Sequence, residues 1–339
     1  MKGDSAALDQ ADEVRLFEKS KSMWHPVATS QELGKDPIPV TLLDTALVVV
    51  RLGDKVSAFP DICIHRGTAL SLGKVVGGNL QCAYHGWKFD SSGKCVSIPA
   101  RPSGSIPLKA QLQKILCVEQ DGLIWVCLTG EPLFEIPSFS QINNSEYRTV
   151  TIPTYDWNSS AARRIENFID FSHFAFVHEG ILGTPDKAEI PDYEVIRCES
   201  ALAFDLGVEE PANELKGDLD LTEVLKRIPS TYTISMPYSV LLDQPLGDGS
   251  MHFVLFMASQ PISAKKTRTF CFCSRNYDVD PAKDQSFIEF QNLILEQDRI
   301  VVESQRPEEL PIDLSEELHI KGVDRVSIEY RKWLKEIVS

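Results

Sequence analysis

Hydrophobic positions come in short runs separated by polar turns over the first third of the chain. Thr45 to Arg51 and Val56 to Phe59 flank Gly53-Asp54, and Leu116 to Glu119 and Leu123 to Leu128 flank Asp121-Gly122. Trp87 to Phe89 and Lys94 to Ile98 flank Asp90-Ser91-Ser92-Gly93. Strand-sized runs joined by such turns predict antiparallel hairpins, and together an all-β module from about Trp24 to Gly130. A proline-containing connection follows at Glu131-Pro132 and Ile136-Pro137-Ser138. Beyond it the period changes. Ala161 to His178 and Ala282 to Gln305 have the spacing of helices, while Tyr232 to Ser239, Met251 to Ser259 and Thr267 to Tyr277 read as strands. Strands grouped together with helices set apart predict an α+β domain whose antiparallel sheet is covered by helices.

Composition narrows the class. The 339 residues are 43% apolar and 24% charged, ordinary for a globular chain, and long enough for a large core or two domains. A net charge of −15 disfavours binding to nucleic acid or an anionic membrane. The N-terminal stretch to Lys21 lacks the apolar core of a secretory signal, and the apolar run Ala46 to Val50 is strand-sized, far too short for a membrane span. Eight cysteines in such a chain do not read as a disulfide framework. Cys95, Cys117, Cys127, Cys198, Cys271 and Cys273 read as small core residues in a reducing compartment, the cytoplasm by default.

The remaining two cysteines stand in the most informative pattern. Cys63-Ile64-His65 is followed after sixteen residues by Cys82-Ala83-Tyr84-His85. Two thiolates and two imidazoles can hold a [2Fe–2S] cluster, cysteines on one iron and histidines on the other. Structural zinc also takes Cys₂His₂ ligands, usually with two to four residues inside the first pair rather than one. Chance is the remaining alternative. Each half-site is followed by glycine, in His65-Arg66-Gly67 and His85-Gly86-Trp87, which suits loop tips packed around a cluster with backbone N–H groups aimed at sulfur. The pattern resembles the Rieske family. Respiratory members of that family carry two further cysteines in a disulfide; Thr68 and Tyr84 stand at those places here, so the resemblance points to the oxygenase branch.

A second signal lies in Asn167, Asp170, His173 and His178. Two histidines and a carboxylate with open positions form the facial triad of non-haem Fe(II) oxygenases. On an ideal helix a five-residue separation turns His173 and His178 about 140° apart, so a shared metal requires unwinding or a π-turn. On spacing alone, two unrelated histidines are the simpler reading. The third ligand should be distant. Phe287, Phe290, Ile294 and Val301 form an apolar stripe that carries Asp298, whereas Glu296 and Glu303 face elsewhere. A carboxylate on such a stripe needs a partner, either a salt bridge or a metal.

The series Asn167, Asp170, His173, His178 is similar, residue by residue, to the N-x-x-D-x-x-H-x-x-x-x-H motif of Rieske oxygenases, and the likeness runs from Trp24-His25-Pro26 to Trp333-Leu334. Within the family the chain looks most like the methylxanthine N-demethylases and the saxitoxin-pathway hydroxylases. The resemblance implies a helix-grip catalytic domain formed by residues 1–23 and 131–339. It implies a [2Fe–2S] cluster on Cys63, His65, Cys82 and His85, Fe(II) on His173, His178 and Asp298, and catalytic roles for Asp170 and Asn167. Electrons would come from NAD(P)H through a separate reductase, with or without a ferredoxin. Asp170 would link the cluster of a neighbouring subunit to the iron, in a homotrimer; an acid placed favourably for the helix dipole is the simpler alternative. Phe168, Phe174, Gln291 and Ile294 should line the substrate pocket, Gln291 as a hydrogen-bond donor or acceptor and Ile294 for shape; ordinary core positions are the alternative. The expected reaction is O₂-dependent hydroxylation or N-demethylation of a small N-containing heterocycle, with O-demethylation or aromatic-ring hydroxylation as alternatives. A Rieske electron carrier is the non-enzymatic alternative, but would leave the second motif unexplained.

Overall fold

The computed structural model describes residues 11–208 and 228–339. The chain divides into two compact units, Lys21–Ile136 and a larger one made of Pro137–Ser339 with the N-terminal segment ending at Ser20.

The smaller unit is built from hairpins. Its ten strands are β1 (His25–Thr29), β2 (Ile38–Leu42), β3 (Thr45–Leu52), β4 (Lys55–Pro60), β5 (Lys74–Val76), β6 (Asn79–Gln81), β7 (Lys88–Phe89), β8 (Cys95–Ser97), β9 (Leu116–Gln120) and β10 (Leu123–Cys127). They form three antiparallel sheets ordered β1-β10-β9, β2-β3-β4 and β5-β6-β7-β8. The turns at Gly53-Asp54, Asp90–Gly93 and Asp121-Gly122 all join paired strands. Alternate residues of β3 and its neighbours turn inward, so Val48, Val50, Phe59, Leu80 and Phe89 share one buried cluster with Cys63 and Cys82. The two cysteine-bearing loops leave β4 and β6 and rest on that core.

The larger unit contains a seven-stranded antiparallel sheet, with β11 (Arg148–Trp157), β12 (Ile196–Arg197), β13 (Ala201–Leu206), β14 (Ser230–Ser235), β15 (Ser239–Leu246), β16 (Met251–Ser263) and β17 (Lys266–Arg275). Their order is β11-β17-β16-β15-β14-β13-β12. Five helices accompany it among the described residues: α1 (Asp12–Ser20), α2 (Ala161–Ile169), α3 (Phe174–Val177), α4 (Asp284–Val302) and α5 (Arg325–Val338). Helix α2 packs on β16 and β17, α4 packs on β11, and the two helices touch each other. None of these helices is long and apolar enough to cross a membrane.

Four expectations change. The single strand Tyr232–Ser239 is two, because Met236-Pro237-Tyr238 turns the chain between β14 and β15 and Pro237 has no N–H for a ladder. The continuous helix Ala161–His178 is broken after Ile169. Asp170 is extended (φ −91°, ψ 106°), and its Oδ1 accepts from the Ser172 N–H at 2.9 Å and hydroxyl at 2.6 Å, a local turn that competes with the helical ladder. On α4 the stripe is Phe287, Phe290, Gln291, Ile294, Leu295, Asp298 and Val302, while Val301 is 43% exposed. Val302, four residues past Asp298, takes the inward place. Cys198 is exposed and Cys117 half-buried, unlike the other four non-motif cysteines, which are buried.

Two ionic clamps hold the helices that matter for the site. Asp284, in the first turn of α4, accepts from Arg275 at 2.8 Å and from Arg148 at 2.5 Å. Arg331 of α5 is buried and donates to Glu166 of α2 at 2.6 and 2.7 Å, to Glu317, and to the Pro311 carbonyl at 2.8 Å; Arg163 completes the network through Glu317 at 2.7 Å. Removing one member of a buried ionic network leaves its partners uncompensated. Arg331→Met is therefore expected to destabilise the larger unit by about 3 kcal/mol, measured as a lowered urea midpoint; an unchanged midpoint would show the network to be stability-neutral.

Candidate functional site

The two half-sites of the smaller unit fold alike. The Cys63 N–H donates to the Thr68 carbonyl at 2.7 Å and the Gly67 N–H to the Cys63 carbonyl at 2.9 Å. In the second loop the Cys82 N–H donates to the Trp87 carbonyl at 2.9 Å and the Gly86 N–H to the Cys82 carbonyl at 3.1 Å. Each loop closes through a left-handed residue, Gly67 at φ +73° and Gly86 at φ +70°, a conformation that costs other residues a steric clash. This is the reason for the glycine after each half-site.

Cys63 and Cys82 are buried, whereas His65 is half-buried and His85 exposed. The two imidazoles lie 4.5 Å apart, and His65 stacks on Trp87 at 4.4 Å. Burial pushes the Cys63 thiol up to about 11, and Cys82 beside it adds to the rise, while the N–H groups of His65 and Arg66 directed at it pull the other way. Those N–H groups suit a thiolate ligand, whose charge they stabilise. Thiols inside and imidazoles outside fit a two-iron cluster held by cysteine on one iron and histidine on the other. Among the described residues these four donors do not converge as one tetrahedral zinc ion would need; the one group of three donors within 4.8 Å of each other is His173, His178 and Asp298.

That group is assembled by the break in the helix. With the chain turned at Asp170, His173 precedes α3 and His178 follows it at φ −114°, ψ 38°, so neither a continuous helix nor a π-turn is used. The Leu182 and Ile181 N–H groups cap the His178 carbonyl at 3.0 and 2.9 Å. Gly183 then passes close to α3: a Cβ there would sit 2.9 Å from the Ala175 N and Cα atoms, so only glycine fits. Helix α4 brings Asp298, 6% exposed, to the same point.

The Nε2 atoms of His173 and His178 are 3.3 Å apart, and Asp298 Oδ1 lies 3.3 Å from the first and 3.0 Å from the second. Divalent first-row ions bond such donors at about 2.0–2.2 Å, which sets neighbours on one octahedral face about 3 Å apart. His178 Nδ1 faces Gln297 Oε1 at 2.8 Å; with the proton on Nδ1 and donated there, Nε2 presents a lone pair toward the carboxylate. A lone pair and a carboxylate oxygen at 3.0 Å call for a cation between them. Burial alone would raise the Asp298 carboxyl, but its contacts with the two imidazole rings and the nearby Arg164 guanidinium outweigh it and hold the group well below the usual carboxylate range. The donor set fits Fe(II).

A pocket opens on this face. It is walled by Phe168, Phe174, Tyr232, Phe253 and Phe290, with Gln244 and Gln291 among its few polar groups, and Ile294 also lines it. Gln291 is 5% exposed, and its side chain lines this pocket. A second, polar cavity reaches Asn167, Asp170, His173 and Asp298, with Glu166, Glu317 and His319 in its wall. Asp170 Oδ2 lies 3.9 Å from His173 Nδ1, which is buried without a hydrogen-bond partner among the described residues. Asn167 Nδ2 donates to Asp298 Oδ1 at 3.2 Å. Arg164, Gln297, Gln244 and Gly183 escape sequence reasoning. Arg164 had a signal, lying one helical turn before Asn167; the others depend on which segments meet in space.

A three-donor face suited to a metal ion in one unit and a pair of Cys-His loops suited to a cluster in the other point to a class. The Rieske [2Fe–2S] domain family matches residues 23–118, and the vanillate O-demethylase oxygenase C-terminal domain family matches residues 157–339. The chain belongs to the Rieske oxygenases, and it is a non-haem iron monooxygenase component whose cofactors are a Rieske [2Fe–2S] cluster and iron, with electrons from a separate reductase. It is 39% identical to methylxanthine N1-demethylase NdmA of Pseudomonas putida over 97% of this chain and 90% of that protein. It is 36% identical to methylxanthine N3-demethylase NdmB of the same organism, over 94% and 89%. The solved structure of NdmA with caffeine superimposes with a TM-score of 0.86 at 37% identity, covering 96% of this chain and 92% of that one.

Proposed function

We propose that this protein removes an N-methyl group, as formaldehyde, from a small, flat N-methylated heterocycle. The observation that carries the reading is the pocket: aromatic walls opening on the His173, His178 and Asp298 face, with the carboxamide residue Gln291 in its lining. A carboxamide placed in a mostly apolar pocket fixes orientation by a directional hydrogen bond, and a ring carbonyl or ring nitrogen meets it. Similarity to the two methylxanthine demethylases supports the same substrate class.

In this reading Cys63, His65, Cys82 and His85 hold the cluster, and His173, His178 and Asp298 hold Fe(II). When bound, the two centres supply electrons and reductive activation of O₂. The protein does the rest. Gln297 fixes the His178 tautomer through Nδ1. The aromatic wall stacks the substrate and excludes water, Gln291 sets its orientation, and Ile294 limits its shape. Insertion of one oxygen atom into the methyl C–H bond consumes O₂, two electrons and two protons and yields water and an N-hydroxymethyl group. That group breaks its C–N bond to give formaldehyde and the free N–H. Asp170, with a 41% exposed side chain near His173, joins the iron site to the cluster of a second copy in a homotrimer. The absence of disulfides among eight free cysteines supports a cytoplasmic setting.

Supplying a surrogate reductase and a panel of methylated N-heterocycles should give formaldehyde in step with demethylated product. Oxygenated products that keep every methyl group would overturn the reading. Gln291→Leu should raise KM or scramble regioselectivity by about 10-fold or more with iron content unchanged; retained preference would leave Gln291 a core residue.

A further inference from the structure

Arg164 is 2% exposed, yet no carboxylate is bonded to it among the described residues. Its Nε and Nη2 donate to the Tyr155 hydroxyl at 3.3 and 3.1 Å, and Nη2 also lies 3.2 Å from the Met257 sulfur. The guanidinium lies 4.6 Å from the centre of the Trp157 ring, while Nη1 reaches forward to Asn167 Oδ1 at 2.9 Å. A cation buried this way needs a compensating charge, and Asp298 stands one carboxamide away, receiving a hydrogen bond from Asn167 Nδ2 at 3.2 Å.

The direction of these bonds carries the inference. A carboxamide has one accepting end and one donating end of nearly equal shape, and nothing intrinsic decides which faces which neighbour. A guanidinium only donates, so it takes the oxygen end of Asn167. The donating end is then forced toward Asp298 Oδ1, the oxygen that lies within 3.3 Å of both histidine nitrogens. In the flipped state two acceptor oxygens would oppose each other, and the carboxylate would be free to swing off the shared face.

We propose that Arg164 is a positioning residue of the metal site, fixing the Asn167 carboxamide so that it holds the ligating oxygen of Asp298 in place. The proposal rests on the assignment of His173, His178 and Asp298 as the iron ligands. It predicts that the hold of Arg164 on the position of Asp298 runs through Asn167, while its charge, which also helps keep Asp298 ionised, is retained in Arg164→Lys.

Equilibrium dialysis of the full-length protein, with its cluster kept and only the iron of the larger unit removed, against Fe(II) without oxygen tests both levels. Wild type should bind one Fe(II) in the larger unit and Asp298→Ala should not; failure there sinks the ligand assignment itself. Arg164→Lys keeps a cation but cannot span Tyr155 and Asn167 together. It and Asn167→Ala should each weaken Fe(II) binding by about 10- to 100-fold, the range for partners that orient metal ligands, with melting temperature and cluster absorption unchanged. The double variant should bind no more weakly than the weaker single one, since both substitutions break the same chain of contacts. Wild-type affinity in Arg164→Lys, additive losses in the double variant, or an unfolded Arg164→Lys would each overturn the proposal, the last by making Arg164 a residue that holds the fold.

Discussion

Replacing Asp298 by alanine is expected to abolish product formation and strip the iron from the larger unit while leaving the [2Fe–2S] absorption intact. The separation follows from where the donors sit: Asp298 lies on α4 in one compact unit, whereas Cys63, His65, Cys82 and His85 lie on loops of the other. Asp298 is also the only anionic member of its group, the other two donors being imidazoles. Without it two neutral nitrogens remain, too little charge to hold a buried divalent ion against water. Removing the carboxylate ends its own costly burial but leaves the buried Arg164 without its nearby anion, so a melting curve of the variant accompanies the assay to show that the fold is kept. Iron and sulfide analysis checks this, with two irons per two sulfides expected in the variant and three in the wild type. Full iron occupancy in Asp298→Ala would assign the metal elsewhere.

Asp170→Asn is the second large effect, and it should leave both centres loaded. The substitution keeps the side-chain volume and the oxygen that accepts from Ser172, so the turn that positions His173 survives. What is lost is the charge beside the unpartnered His173 Nδ1, 3.9 Å away. If that contact connects the iron to a neighbouring cluster, turnover should fall by about 10- to 100-fold or more, as for other groups that hold metal ligands, with substrate binding unaltered. Rapid-mixing absorbance checks the step, because the reduced cluster should then reoxidise slowly on exposure to O₂ and substrate. Turnover at the wild-type rate would count against the relay and the trimer it implies.

Sequence carried this far where ligands are close together and where pattern mirrors burial. The Cys-His pairs fall within single loops, and the glycines that follow them report a left-handed closure seen directly at Gly67 and Gly86. Asp298 was legible because a carboxylate interrupts an apolar stripe. The break at Asp170 was half legible: the His173–His178 spacing already required unwinding or a π-turn for a shared metal, but helical spacing continues across Asp170, and its bonds with Ser172 mark where the helix stops. The turn after Ser235 was hidden in the same way inside an apolar run, although Pro237 marks it. Gln297, Gly183 and the orientation of the Asn167 amide depend on segments far apart in the chain, and no local pattern encodes them.

The most direct test of the whole account is a single turnover. Protein with both centres loaded and chemically reduced, free of any reductase, is mixed with O₂ and an N-methylated purine, and formaldehyde is measured against demethylated product. Wild type should give equal amounts of the two, and Asp298→Ala neither. Reduced centres that are consumed without formaldehyde from any N-methylated heterocycle, or formaldehyde from both proteins alike, would contradict it.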